Sequence, residues 1–162
     1  MSTFAAKRIG HQYTQTNEAP PEEVFPLLCP VREADWVPGW QYRLIYSESG
    51  VAEDGCVFSM PNDSGAETVW IVTHHDPAAF KIAYTWVQPD MIATQLRISL
   101  APAPCGKTST HIHYFYTGIS PAGNAVLDRF TPEWFNGKMQ GWEKAINYFL
   151  RNGTLIQAAA WG

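Results

Sequence analysis

The chain carries little charge and no run of it. Asp, Glu, Lys and Arg make up 16% of 162 residues, the formal net charge is -4, and Lys and Arg are nowhere clustered. A surface that tracks phosphates needs grouped cations to release counterions, so nucleic acid is not an expected partner. Cysteine is scarce as well: Cys29, Cys56 and Cys105 are odd in number and lack C-x-x-C spacing, which argues against a disulfide framework or a zinc knuckle. No stretch approaches the ~20 apolar residues of a membrane span, and Met1 to Gly10 lacks the apolar segment of a secretory signal. A cytoplasmic location follows as the expectation. Gly-rich phosphate loops and a G-x-S-x-G elbow are also missing, which leaves nucleotide-dependent and serine-hydrolase mechanisms without support.

Aromatic residues, by contrast, are plentiful at 14%, with seven Trp. The length suits one domain over 1–162 with room for a core and a pocket. Residues Cys29 to Trp40 hold two indoles, two prolines after Cys29 and a glycine, a composition that predicts a shaped apolar junction between helix and strand. Upstream, Lys7 to Thr16 alternates Ile9, His11 and Tyr13 on one face and predicts a first strand. Pro20-Pro21-Glu22-Glu23 predicts a helix start, since prolines there cost no hydrogen bond and carboxylates favour the positive end of the dipole. Val24, Phe25, Leu27 and Leu28 form its buried side. Pro26 and Pro30 keep it short, with a second turn through Arg32 to Asp35.

From Trp40 the pattern changes to period two. Trp40, Tyr42, Leu44 and Tyr46 predict a half-buried strand; Cys56 to Met60 and Thr68 to His75 predict two more, separated by a turn-forming rim loop, Pro61 to Gly65. Phe80, Ile82, Tyr84 and Trp86 alternate cleanly, as do Ile92, Thr94, Leu96, Ile98 and Leu100. Ala101 to Gly106 predicts a linker-like turn and Thr108 to Gly118 the last strand. Ser120-Pro121 and Thr131-Pro132 are N-cap and first-position pairs, predicting two helices or one with a break. In the second, Phe135, Lys138, Met139, Trp142, Ala145, Ile146 and Phe149 share a stripe, with Asn136, Gln140, Lys144, Asn147 and Arg151 opposite. Asn152-Gly153 is the C-cap, and 154–162 is expected to form a flexible tail, frayed or tucked against the body.

With this order of elements, and with Cys29 to Trp40, His74-His75-Asp76-Pro77 and Tyr116-Thr117-Gly118-Ile119-Ser120 in place, the chain resembles the SRPBCC superfamily. That group contains START lipid-transfer domains, birch-pollen-type allergens and bacterial polyketide cyclases. The resemblance spans roughly Lys7 to Gly153. It implies an α+β helix-grip fold, a curved antiparallel sheet around a long C-terminal helix with two short helices near the N-terminus, and a hydrophobic molecule held between sheet and helix. It further implies that Trp70, Val72 and His74 point inward from one strand and Ile112, Tyr114 and Tyr116 from the last. The opposite alternation would turn His111 and His113 toward the helix.

The candidate binding set is therefore Trp40, Trp70, Val72, His74, Tyr84, Trp86 and Leu96, with Ile112, Tyr114, Tyr116, Phe135, Lys138 and Trp142. Aromatics offer large contact area, and phenols and indoles fix orientation by hydrogen bonding; the alternative is that these side chains only fill a core. His74 either meets a ligand oxygen and exchanges protons near neutral pH or is a satisfied core histidine. His111 and His113 share a strand face at a spacing metal sites use, but no third ligand has diagnostic spacing, so neither metal nor other cofactor is expected. Lys138, inside an apolar stripe, must snorkel, pair or meet an anionic headgroup. Gly137 and Gly141 leave a notch for a strand or a ligand. The leading function is binding of a small hydrophobic molecule that is aromatic, polyketide-like or lipid-like. The alternatives are a polyketide cyclase or aromatase using His74 and Tyr114 for proton transfer, and a protein-interaction module. A monomer or homodimer fits any of these.

Overall fold

A computed structural model describes residues 3–61 and 67–161. Seven antiparallel strands form one sheet in the order β1-β7-β6-β5-β4-β3-β2, with β1 at Arg8–Asn17, β2 at Arg43–Tyr46, β3 at Val57–Pro61 and β4 at Glu67–Asp76. The remaining strands are β5 at Lys81–Gln88, β6 at Ile92–Ala103 and β7 at Lys107–Gly118. The helices are α1 at Pro21–Val24, α2 at Pro30–Glu33, α3 at Pro121–Leu127, α4 at Pro132–Asn152 and α5 at Ala158–Trp161. Among the described residues no helix is long and apolar enough to cross a membrane.

Period-two patterning sets which sheet face is covered. On β6, Ile92, Thr94, Leu96, Ile98 and Leu100 are all buried, and on β7 so are Ile112, Tyr114 and Tyr116. Inward residues meet in rows across the ladder, as in Tyr84, Leu96 and Tyr114. Against that face lies α4, which buries Phe135, Met139, Ala145 and Ile146. Thr131 caps it by accepting from the Trp134 N–H, and Gly153 ends it with φ of 68°, a left-handed C-cap that favours glycine. Ser120 caps α3 in the same way through the Gly123 N–H.

The proline-broken segment between β1 and β2 is pinned by side chains that replace missing helix hydrogen bonds. Phe25–Leu28 is a 3₁₀ turn between α1 and α2. The Trp36 indole donates to the Leu27 carbonyl at 2.8 Å, Trp40 donates to the Pro30 carbonyl at 2.8 Å, and the Tyr84 hydroxyl donates to the Leu28 carbonyl. Buried carbonyls without partners would cost stability. The aromatic junction thus ties both short helices to the sheet.

Four expectations are corrected. The strand predicted from Trp40 begins at Arg43, because Gly39 at φ of 71° turns the chain and the Trp40 indole is committed to Pro30. A register shift between Leu44 and Tyr46 then leaves Tyr46 exposed. β6 continues through Pro102 to Ala103, so the linker shrinks to Pro104–Gly106. The Gly137 notch receives no strand, since a Cβ there would meet nothing within 4 Å. The predicted rim loop lies outside the described residues apart from Pro61. In the expected tail, Ile156 is buried and Ala158–Trp161 is helical.

Candidate functional site

Between the sheet and α4 is a cavity of about 200 Å³ lined by Glu33, Trp40, Phe58, Met60, Trp70, Tyr84, Leu96, Tyr114, Lys138 and Trp142. Two larger depressions lie elsewhere. One of about 250 Å³ runs from Phe25 and Arg32 to His75 and Pro77, and one of about 360 Å³ lies over His74, Lys81, Arg97, His111 and His113. Both are more open than the internal cavity, and enclosure is what removes a ligand from water.

Aromatic contacts make the cavity walls stiff. Trp70 stacks on Trp86 at 3.5 Å between centroids, Phe58 stacks on Trp70 at 5.6 Å, and Trp142 meets Trp36 edge-on at 5.2 Å. Rings locked to other rings hold the cavity's shape without a ligand. Trp36, fully buried, is the second layer behind Trp142.

Two ionisable groups border this apolar space. Glu33, at the end of α2, is 6% exposed, and among the described residues its carboxylate has no ion-pair partner. Burial pushes its pKa well above the ordinary carboxylate range. Lys138 is exposed as a whole residue, but its Nζ stands 4.7 Å from the centroid of Tyr114, a ring only 3% exposed, and 5.5 Å from that of Trp134. The position of Nζ, rather than the accessibility of the stem, governs its electrostatics. Desolvation lowers the Lys138 pKa to about 8. Burial likewise raises the Tyr84 and Tyr114 hydroxyls well above the usual phenol value. An acid favouring its neutral form and an amine shifted toward its own thus face one cavity.

No known family profile matches the sequence, and no curated protein matches it. Solved structures do match. Truncated norcoclaurine synthase from Thalictrum flavum superposes with a TM-score of 0.68 at 11% identity, covering 94% of this chain and 99% of the other. Ara h 8.0201 gives a TM-score of 0.63 at 18% identity, covering 90% and 100%. The di-domain aromatase/cyclase BexL gives 0.63 at 14% identity, covering 88% of this chain and 46% of that one. The chain has the helix-grip fold of the SRPBCC superfamily. At these identities the likeness is one of fold.

Within the helix-grip frame, the cavity brings together Trp40, Trp70, Tyr84, Leu96, Tyr114, Lys138 and Trp142 from the sequence-derived set. Val72, Ile112, Tyr116 and Phe135 are inward and buried but pack as core outside the cavity lining, and Trp86 supports Trp70 from behind. The Tyr116 ring is held by Phe130, and its buried hydroxyl has no partner. His74 is the correction. A register shift between Val72 and His74 turns it to the outer face, where it is exposed beside Ala83, and His75 takes the inward side, stacked on Phe25 at 5.6 Å.

His111 and His113 also face outward, in the register the resemblance implies. The His113 pKa is lowered by burial, then by His111 and Arg97. Among the described residues no group of three or more His, Cys, Asp or Glu is arranged to hold a metal ion. Sequence reading missed Glu33, Phe58 and Met60. Phe58 and Met60 alternate on β3 and were within reach of the period-two pattern, whereas Glu33 sits on a four-residue turn too short to show a face.

Proposed function

We propose that the protein binds one small molecule, built on a single ring and bearing a polar group, in the cavity between sheet and α4. The observation that carries this is the pairing of a stiff aromatic wall with two ionisable groups, Glu33 and Lys138, in one enclosed space. Burying such groups without partners is costly, so a cavity that keeps them is better explained by a ligand than by stability. Size narrows the class, since a cavity of ~150 Å³ accepts benzene and about 200 Å³ adds room for a substituent. Sterols, long acyl chains and multi-ring polyketides would require the walls to open. Apolar contact drives binding, and the polar groups orient the ligand.

The test is a titration followed by tryptophan fluorescence and native mass spectrometry, with phenol, aryl ketones and benzoate against a sterol and a long-chain acyl probe. One-to-one binding of single-ring compounds, with the bulky probes excluded, is the expected outcome. Failure of every single-ring compound would leave the aromatic set as core alone.

A further inference from the structure

Lys138 has no counter-ion. Among the described residues no carboxylate lies within ion-pair distance of its Nζ, and its recorded neighbours are the faces of Tyr114 and Trp134. Ring faces attract an ammonium, but desolvation acts against the charge and brings the pKa to about 8. At pH 7 a lysine with that value is a free amine ~10% of the time, against ~0.03% for an ordinary one. A neutral amine in an apolar space is a nucleophile toward carbonyl carbon. Glu33 borders the same cavity and favours its protonated form, the state from which a carboxyl donates a proton.

We propose that Lys138 forms a Schiff base with single-ring aldehydes or ketones, with Glu33 as the acid that expels water. This rests on the cavity being a binding site. The Nζ lone pair attacks the carbonyl carbon, the C=O π pair moves to oxygen, and an ammonium proton passes to that oxygen to give the carbinolamine. Glu33 then protonates the hydroxyl, the C–O bond breaks with loss of water, and the nitrogen lone pair closes the C=N bond. The resulting iminium returns its N–H proton to the Glu33 carboxylate. Amine and carbonyl have become imine and water, with no oxidant or reductant consumed. Aromatic walls favour the condensed product by excluding bulk water from the imine.

The experiment uses the full chain at pH 8 with para-hydroxybenzaldehyde and sodium cyanoborohydride, which reduces an imine to a stable amine. Intact mass and peptide mapping locate the adduct, and phenol binding is followed in parallel by tryptophan fluorescence. A single adduct on Lys138, formed at least about tenfold faster than on Lys7, Lys81, Lys107 or Lys144, is expected from its larger free-amine fraction. Lys138→Met and Lys138→Arg should abolish it, Glu33→Gln should slow it about tenfold or more, and His74→Gln should leave it unchanged. Thermal midpoints control for folding, and the arginine variant keeps the length and charge if the methionine variant is unstable.

Phenol binding without preferential trapping at Lys138 would overturn the Schiff-base proposal and leave the cavity reading intact. Adducts spread evenly over all lysines would do the same. If neither phenol nor the aldehyde binds, both proposals fall together.

Discussion

Asn17 and Asn147 lie 130 residues apart and are hydrogen-bonded in the interior, Nδ2 of Asn17 donating to Oδ1 of Asn147 at 3.2 Å. The same Oδ1 accepts from the Glu18 backbone N–H at 3.1 Å, and Asn147 Nδ2 donates to the Thr16 carbonyl at 2.9 Å. Asn17 Oδ1 accepts in turn from Thr110 Oγ1 at 2.7 Å and from Gln15 Nε2 at 3.2 Å. One side chain on α4 therefore closes the end of β1 where it leaves the ladder, and Asn17 extends the link to β7.

Asn147→Ala should destabilise the fold by about 2–4 kcal/mol, because it strands several buried polar groups at once. Urea unfolding of this variant beside Asn136→Ala, on the exposed face of the same helix, measures it. Equal midpoints for both variants would show the buried network to be dispensable.

Gly123 offers a backbone test. A Cβ placed there would sit 1.8 Å from the Met91 carbonyl oxygen, so α3 must retreat from the turn between β5 and β6 if any side chain is added. Gly123→Ala should lower stability by roughly 2 kcal/mol or more, whereas Gly137→Ala, with open space around it, should be neutral or stabilising through helix propensity. Thermal midpoints of the two variants decide the point.

Two pH slopes should belong to the cavity. Because burial raises the Glu33 pKa, the stability tied to its protonation is complete below about 4.5 and drains away as pH rises toward the folded-state value. Glu33→Gln should flatten that slope. Lys138 is lowered from 10.5 to about 8, so its penalty is complete below about pH 8 and disappears as pH climbs to 10.5. Lys138→Met should gain about 1–2 kcal/mol at pH 7, a figure reduced for the partial exposure of the residue, and should lose the alkaline slope. Denaturant midpoints from pH 4 to 11 give both.

Filling the cavity should separate binding from folding. Leu96→Trp puts an indole into a space of about 200 Å³ and should weaken single-ring ligands at least about tenfold, while overpacking costs ~1–3 kcal/mol. His74→Gln, on the outer face, should change neither. Loss of binding in the His74 variant alone would mean that the ligand sits on the outside of the sheet.

Strand phase was legible wherever alternation ran unbroken: Ile92 to Leu100 and Ile112 to Tyr116 face inward as their spacing implies, and both proline-led helices start at their predicted caps. Long-range pairing was not. Asn147 was placed on the polar side of α4 because helical periodicity reports polarity, and only the fold shows that β1 presents Thr16, Asn17 and Glu18 to satisfy it. Glu33 escaped notice for a related reason, since nothing local says that Tyr84 and Lys138 will border the same space. At Trp40 the alternation was real, but an indole committed to the Pro30 carbonyl kept the residue out of the ladder.

The extra residue in β4 makes chain length there a code for which side of the sheet a side chain reaches. Thr73 has no partner in the β5 register, so even positions point inward through Val72 and odd ones do so from His75. A deletion of Thr73 would remove one methyl and one hydroxyl from the surface, yet its larger effect would be to transpose everything downstream. His74 would enter the slot beneath Phe25, His75 would leave it, and Asp76 would lose its place at the start of the turn where it accepts from the Ala79 N–H. Composition would hardly change; parity would, and with it which imidazole the solvent sees.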